Sequence, residues 1–160
     1  AITMLIIGLS RPQVLNVSTQ TKTSKGIDIV IAVDVSSSML AQDLSPNRLD
    51  ALKLVAKEFI NDRTNDRIGL VVYAGESYTK TPVTSDKSII IKSLEEINFD
   101  GVIEDGTAIG MGLATAVNRL KDSKAKSKVV ILLTDGVNNS GFIDPNTAAD
   151  LASSYEIKTY

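Results

Sequence analysis

The run Ile27-Asp28-Ile29-Val30-Ile31-Ala32-Val33 constrains this chain more than any other stretch. Apart from Asp28 it is apolar and mostly β-branched, and it stops at Asp34, with Ser36, Ser37 and Ser38 close behind. So short and apolar a run reads as a strand buried on both faces. Such a strand needs helices above and below it. A second run, Val129-Val130-Ile131-Leu132-Leu133, has the same character and ends in Thr134-Asp135-Gly136. Open α/β sheets gather their ligands beyond the carboxyl ends of their strands. Both aspartates therefore fall where a site is expected.

The intervening segments supply the rest of the sheet. Ser45-Pro46 reads as a helix start, with Ser45 as N-cap and Pro46 in the first turn. Leu49, Leu52, Ala56, Phe59 and Ile60 then recur at helical spacing. Residues 68–73 form a second apolar strand, and Gly75-Glu76 turns directly into the more polar residues 77–83. Two strands joined so tightly must be antiparallel, which puts the third at the sheet's edge. Asp86 opens a helix through residue 97. Asp105-Gly106-Thr107 opens another, whose apolar face is Ile109, Leu113, Ala116, Val117 and Leu120. Gly110 and Gly112 let that helix approach the sheet closely. After the strand at 129–133 come a loop at 138–145, a short helix at 146–155 and a fifth strand beginning at 157. The order β-α-β-β-α-α-β-α-β gives a three-layer, mostly parallel sheet with one antiparallel edge strand and helices on both faces. A chain that stops as its fifth strand begins reads as part of a longer domain.

Asp34-x-Ser36-x-Ser38 offers one carboxylate and two hydroxyls on the turn leaving the first strand. These hard oxygen donors suit Mg²⁺ or Mn²⁺. The same residues also suit helix capping, and Thr107 and Asp135 singly have equally plain readings as an N-cap and a turn residue. The topology brings all three loops to one rim, which makes two carboxylates and three hydroxyls a more specific signal than any one of them. With few protein charges facing a dication, an open coordination position would accept a carboxylate from a partner protein.

Taken together, Asp34-x-Ser36-x-Ser38, Thr107 and Asp135 resemble the metal-ion-dependent adhesion site of von Willebrand factor type A (VWA) domains. The resemblance spans residues 26–160, and every position of that motif is matched. It implies a Rossmann-like fold lacking its last strands and helices, a Mg²⁺ or Mn²⁺ ion, and protein binding rather than catalysis. It further implies that the serines and threonine ligate directly, and the aspartates directly or through water. Residues 34–43 (DVSSSMLAQD), 65–76 (NDRIGLVVYAGE), 104–120 (EDGTAIGMGLATAVNRL) and 129–138 (VVILLTDGVN) resemble the bacterial aerotolerance (Bat) membrane proteins, the BatA type above all. In that branch the domain follows a membrane helix ending in Arg-Pro-Gln, as Arg11-Pro12-Gln13 stands here. The resemblance also implies a MoxR-type AAA ATPase and other VWA membrane proteins as partners, and a periplasmic domain at the inner membrane.

Residues 1–12 begin with the apolar AITMLIIGL, too short for the roughly 20 residues that cross a bilayer. They read as the stub of a membrane helix or as an ordinary edge segment, and residues 13–26 as a linker or edge strand. Residues 27–160 then make up the domain. The lysines and Arg11 after the stub favour the cytoplasmic side by the positive-inside rule, against the periplasmic face that the resemblance implies.

Composition narrows the alternatives. The chain has no cysteine and no histidine, so thiolate and imidazole chemistry are excluded. A net charge of −2 with no basic block gives nothing to track a nucleic-acid backbone. A Mg²⁺-dependent phosphotransferase would need a second aspartate two residues after Asp34, where Ser36 stands. Neither a phosphate-binding Gly-x-x-x-x-Gly-Lys nor a Gly-x-Ser-x-Gly element is present. The remaining rival is a structural interaction domain that uses no metal.

Overall fold

The computed structural model describes residues 26–101 and 103–160. The expectations for residues 1–25 lie outside it. Five strands, β1 (Asp28–Asp34), β2 (Arg67–Tyr73), β3 (Ser77–Thr84), β4 (Lys128–Leu133) and β5 (Ile157–Thr159), form one sheet in the order β3-β2-β1-β4-β5. β1 pairs in parallel with β2 and β4, β4 in parallel with β5, and β3 runs antiparallel to β2 at the edge. The tight turn at Gly75-Glu76 thus sets the edge strand as its length requires.

Residue alternation along β1 and β2 divides the core in two. Ile29, Ile31 and Val33 with Ile68, Leu70 and Val72 meet α1 (Arg48–Asp62) and α2 (Lys87–Glu95) through Leu49, Ala56, Ile60, Ile90 and Leu94. Val30, Ala32, Val71 and Tyr73 meet α3 (Ile109–Leu120) and α4 (Pro145–Ser154) on the other side. β1 is buried along its whole length, as its composition demands. β4 is less covered. Only Val130 is fully buried there, while Ile131 and Leu133 line a cleft beside α1.

Two helix starts differ from the sequence reading. α1 begins at Arg48, not at Pro46, because Asn47 is the better cap: its side chain accepts from Asp50 N–H at 2.8 Å and donates to the Asp50 carboxylate at 2.8 Å. α3 begins at Ile109, so Thr107 lies before the helix and does not cap it; the N-cap position is Ala108, with no side-chain cap bond. Asp86 and Asp144 do cap α2 and α4 through side-chain bonds.

α3 reaches the sheet through glycine. A Cβ at Gly112 would stand 2.6 Å from the Tyr73 ring, whereas Gly110 meets the backbone of Ile143 in the loop before α4. At the opposite end of the sheet from the three loops, Asp28 is 2% exposed and pairs with Arg67, with Ser123 donating a further hydrogen bond. Burial alone would raise the Asp28 carboxyl, but the Arg67 and Ser123 hydrogen bonds and the Arg67 charge hold it below its ordinary 3.8.

Gly112→Ala should therefore destabilise the protein by about 1–3 kcal/mol in chemical denaturation, although alanine is the better helix former. An unchanged or raised midpoint would mean that the Tyr73 contact yields freely. Arg67→Met should cost about 2–3 kcal/mol at pH 7, since it leaves a buried carboxylate without its counter-charge. A lowered native pKa gives stability that is present above about pH 4 and lost as pH falls through the native value. Loss of Arg67 lets burial raise Asp28 instead. The deficit of the variant should then shrink below pH 4, and equal deficits at pH 7 and pH 3 would contradict this account.

Candidate metal-binding rim

Three loops meet beyond the carboxyl ends of β1 and β4. Asp34 is the last residue of β1 and has no solvent exposure. A buried carboxylate must find donors. Its Oδ1 accepts the backbone N–H of Ser36 at 2.8 Å, and its Oδ2 accepts the hydroxyl of Thr134 at 2.7 Å. The first bond folds the Asp34-Val35-Ser36 turn back on itself, and the second ties it to the end of β4. A 3-10 turn, Ser37–Leu40, follows and buries Met39, which fixes Ser38 on the rim.

The hydroxyls then form a row. Ser36 Oγ and Ser38 Oγ are 2.9 Å apart, and Ser38 Oγ donates to Asp135 Oδ1 at 2.9 Å. Thr107 enters from the loop before α3. Its N–H donates to Asn139 Oδ1 at 2.9 Å, and its carbonyl accepts Asn139 N–H at 3.0 Å, so the loop after β4 pins it from both sides. The Thr107 hydroxyl lies over Gly136, where a Cβ would come within 3.4 Å of it. All five residues singled out in the sequence are thus brought to one place.

Glycine has a definite part in this arrangement. Gly106 has φ +139°, and any side chain there would collide with Ser140. Its neighbour Asp105 accepts Ser37 N–H at 3.0 Å, which joins the second loop to the first. That bond is the leading reason the Asp105 carboxyl sits below the usual range. Tyr73, fully buried between α3 and the rim, has its phenol pushed well above the usual range by burial and then by the Asp34 charge.

Further residues complete the rim. Arg48, the first residue of α1, holds Asp43 with a fork of 2.8 and 2.7 Å and pairs with Asp135 Oδ2 through its remaining terminal nitrogen. Sequence spacing gives no hint of the Arg48–Asp135 pair, whose members stand 87 residues apart. Thr134 was visible only as the residue before a turn aspartate. A cleft of about 700 Å³ opens beside Asp135, walled by Leu44, Leu52, Val55, Phe59, Ile131 and Leu133.

The donor set fits a small hard dication. Octahedral Mg²⁺–oxygen distances of about 2.0–2.1 Å place neighbouring ligands roughly 2.8–3.0 Å apart, and the Ser36–Ser38 hydroxyls stand at 2.9 Å. Among the described residues no group of three or more His, Cys, Asp or Glu side chains stands ready to hold a metal. The rim instead combines two carboxylates with three hydroxyls, a weaker total charge that would leave a bound cation electrophilic.

Comparison with known proteins places this architecture. Residues 29–138 match the von Willebrand factor type A domain. An uncharacterised protein of Borreliella burgdorferi is 38% identical over 138 residues, covering 86% of this chain and 40% of that protein. The chain thus spans well under half the length of this curated relative. Among solved structures, an aerotolerance-related membrane protein from Bacteroides fragilis is 34% identical with a TM-score of 0.77, covering 84% of this chain and 65% of the other. BatB from Bacteroides thetaiotaomicron is 34% identical with a TM-score of 0.78, covering 84% and 64%. A mussel byssus protein, proximal thread matrix protein 1, is 28% identical with a TM-score of 0.73 over 84% of this chain and 34% of its own, and its structure has a zinc-occupied MIDAS motif. Fold, motif and relatives agree, and the chain belongs to the von Willebrand factor type A domain family.

Proposed function

We propose that this domain is a metal-dependent protein-interaction module of a membrane-anchored bacterial protein. In this reading Asp34, Ser36, Ser38, Thr107 and Asp135 hold Mg²⁺ or Mn²⁺, and a partner's Asp or Glu carboxylate completes the coordination. The observation that carries it is the meeting of Asp34, Ser36, Ser38, Thr107 and Asp135 on one rim shared by three loops, with Ser36, Ser38 and Asp135 in a hydrogen-bonded row. The VWA domain is a protein-interaction fold, and the zinc-occupied motif of the byssus protein supports a divalent ion at the corresponding place. Solved relatives described as membrane proteins support the anchor, which would lie at residues 1–12 and be followed by a linker over 13–26. A role in aerotolerance or envelope stress, a periplasmic position, and other VWA membrane proteins and a MoxR-type AAA ATPase as partners are part of the same proposal.

The rim explains why a cation would be needed. Asp34, Asp43, Asp105 and Asp135 crowd the loops, so an acidic partner meets repulsion. A bound dication would add positive charge beyond what Arg48 supplies. The three hydroxyls contribute lone pairs without further negative charge, and the buried Asp34 orients the turn that presents two of them. Ser36 stands where a phosphotransferase of this kind would need its second aspartate, which favours binding over phosphoryl transfer.

Mg²⁺ or Mn²⁺ at 100 times its Kd should stabilise the wild type by about 2.7 kcal/mol by mass action, read as a rise in Tm. Ser38→Ala and Asp135→Ala should lose most of that rise while still folding without metal, each rise being read from the variant's own metal-free Tm. Equal rises in all three proteins would remove the metal from this rim. For the partner, Thr107→Ala should leave folding nearly intact, because Thr107 caps no helix, yet weaken capture of a partner from detergent-solubilised membranes in Mg²⁺. EDTA should abolish capture by the wild type. A partner held equally well in EDTA and by Thr107→Ala would place the interface elsewhere.

A further inference from the structure

Arg48 deserves a role of its own, because its position is over-determined. Its backbone N–H donates to the carbonyl of Ala41 at 3.0 Å, and it opens α1 next to the buried Leu49. Its Nε and one terminal nitrogen grip the two oxygens of Asp43 at 2.8 and 2.7 Å. The other terminal nitrogen is thereby aimed at Asp135 Oδ2, while Ser38 occupies Asp135 Oδ1 at 2.9 Å. Both oxygens of one of the two rim carboxylates are therefore engaged, one of them by a full positive charge. The pair lies at the surface, with the Arg48 side chain 30% exposed and that of Asp135 15%.

We infer that Arg48 is an internal counter-cation of the rim, docked by Asp43 onto Asp135, where it competes with a divalent ion for that carboxylate. The inference rests on the metal reading of the rim given above. A guanidinium and a dication cannot share one carboxylate without mutual repulsion at close range. The fork to Asp43 matters here, because it keeps Arg48 paired after its contact with Asp135 is given up. Release therefore costs one charge-assisted hydrogen bond, not three. The rim then has two arrangements, with Asp135 closed on Arg48 or opened toward a metal, and Arg48 sets how much cation is needed to pass between them. Arg48 acts as a positioning residue, not a ligand. The opposite role, in which Arg48 merely steadies Asp135 for coordination, predicts the opposite sign.

The test is calorimetric titration of Mg²⁺ and of Mn²⁺ into the wild type, Arg48→Gln and Arg48→Lys, with metal-free melting of each. Competition predicts that Arg48→Gln lowers the apparent Kd by about two- to fivefold, the factor expected of a partly exposed charge pair. Its metal-free Tm should fall, because Asp43 and Asp135 lose their shared cation. Arg48→Lys, which retains the charge, should stay near the wild-type Kd. Binding by Arg48→Gln where the wild type shows none would support the inference most strongly. An unchanged or raised Kd in Arg48→Gln, with the wild type binding metal, would overturn it and leave the metal reading standing. Absence of binding in every protein would overturn both.

Discussion

A carboxylate without solvent sits at the end of the central strand, and much of the rim follows from satisfying it. Asp34 has no exposure, so it must be met by donors from inside the protein. The nearer donor is two residues away, in the backbone of Ser36, and forces a tight turn. The farther is Thr134, at the end of the neighbouring parallel strand, and it forces the first and third loops together. Once those two bonds are made, Ser38 stands against Asp135, and Thr107 is held over the same turn by Asn139. The grouping of hydroxyls and carboxylates is thus tied to an electrostatic necessity within the sheet.

Where the sequence was informative, the signal was strongly local. β1 announced its burial by composition alone, and the one-turn link at Gly75-Glu76 left no choice but an antiparallel edge. Asp86 was found as a cap because its acceptor oxygen and the amides of Ser88 and Ile89 are neighbours in the chain. Ser45-Pro46 misled because two capping signals stood two residues apart, and Asn47 with its reciprocal partner Asp50 is the better satisfied. Thr107 was placed correctly on the rim but not at a helix start, since the amides it would have capped begin one residue later. Ser123 supports the buried Asp28 from 95 residues away, a contact that no local pattern announces. The Arg48–Asp135 and Thr134–Asp34 contacts escaped because they depend on register between strands and loops far apart in sequence, and the Arg48–Asp43 pair, five residues apart, depends on the irregular turn between its members.

The rim's electrostatics and its proposed chemistry bear on each other. A cluster of carboxylates that close would be unstable without positive charge, and Arg48 provides some at Asp135 and Asp43. Hydroxyls fill the remaining positions, which keeps the total negative charge low enough for a bound dication to remain attractive to another anion. The apolar cleft beside Asp135 adds a different kind of surface at the same edge, so polar and apolar features lie within reach of one docking partner.

The bonds that unite the rim also have a consequence for the order in which the protein is made. Ser38 and Asp135 are 97 residues apart, and Asp34 and Thr134 are 100 apart. Closing a loop of that length costs on the order of 4 kcal/mol in chain entropy. A nascent chain that has emerged only as far as α3 already carries Asp34, Ser36, Ser38 and Thr107, yet no rim exists until β4 has docked beside β1. Asp135 arrives with that last central strand, directly after the residues that pair with β1. During synthesis the rim is therefore a late structure, and its assembly marks the moment at which the two halves of the sheet have found each other.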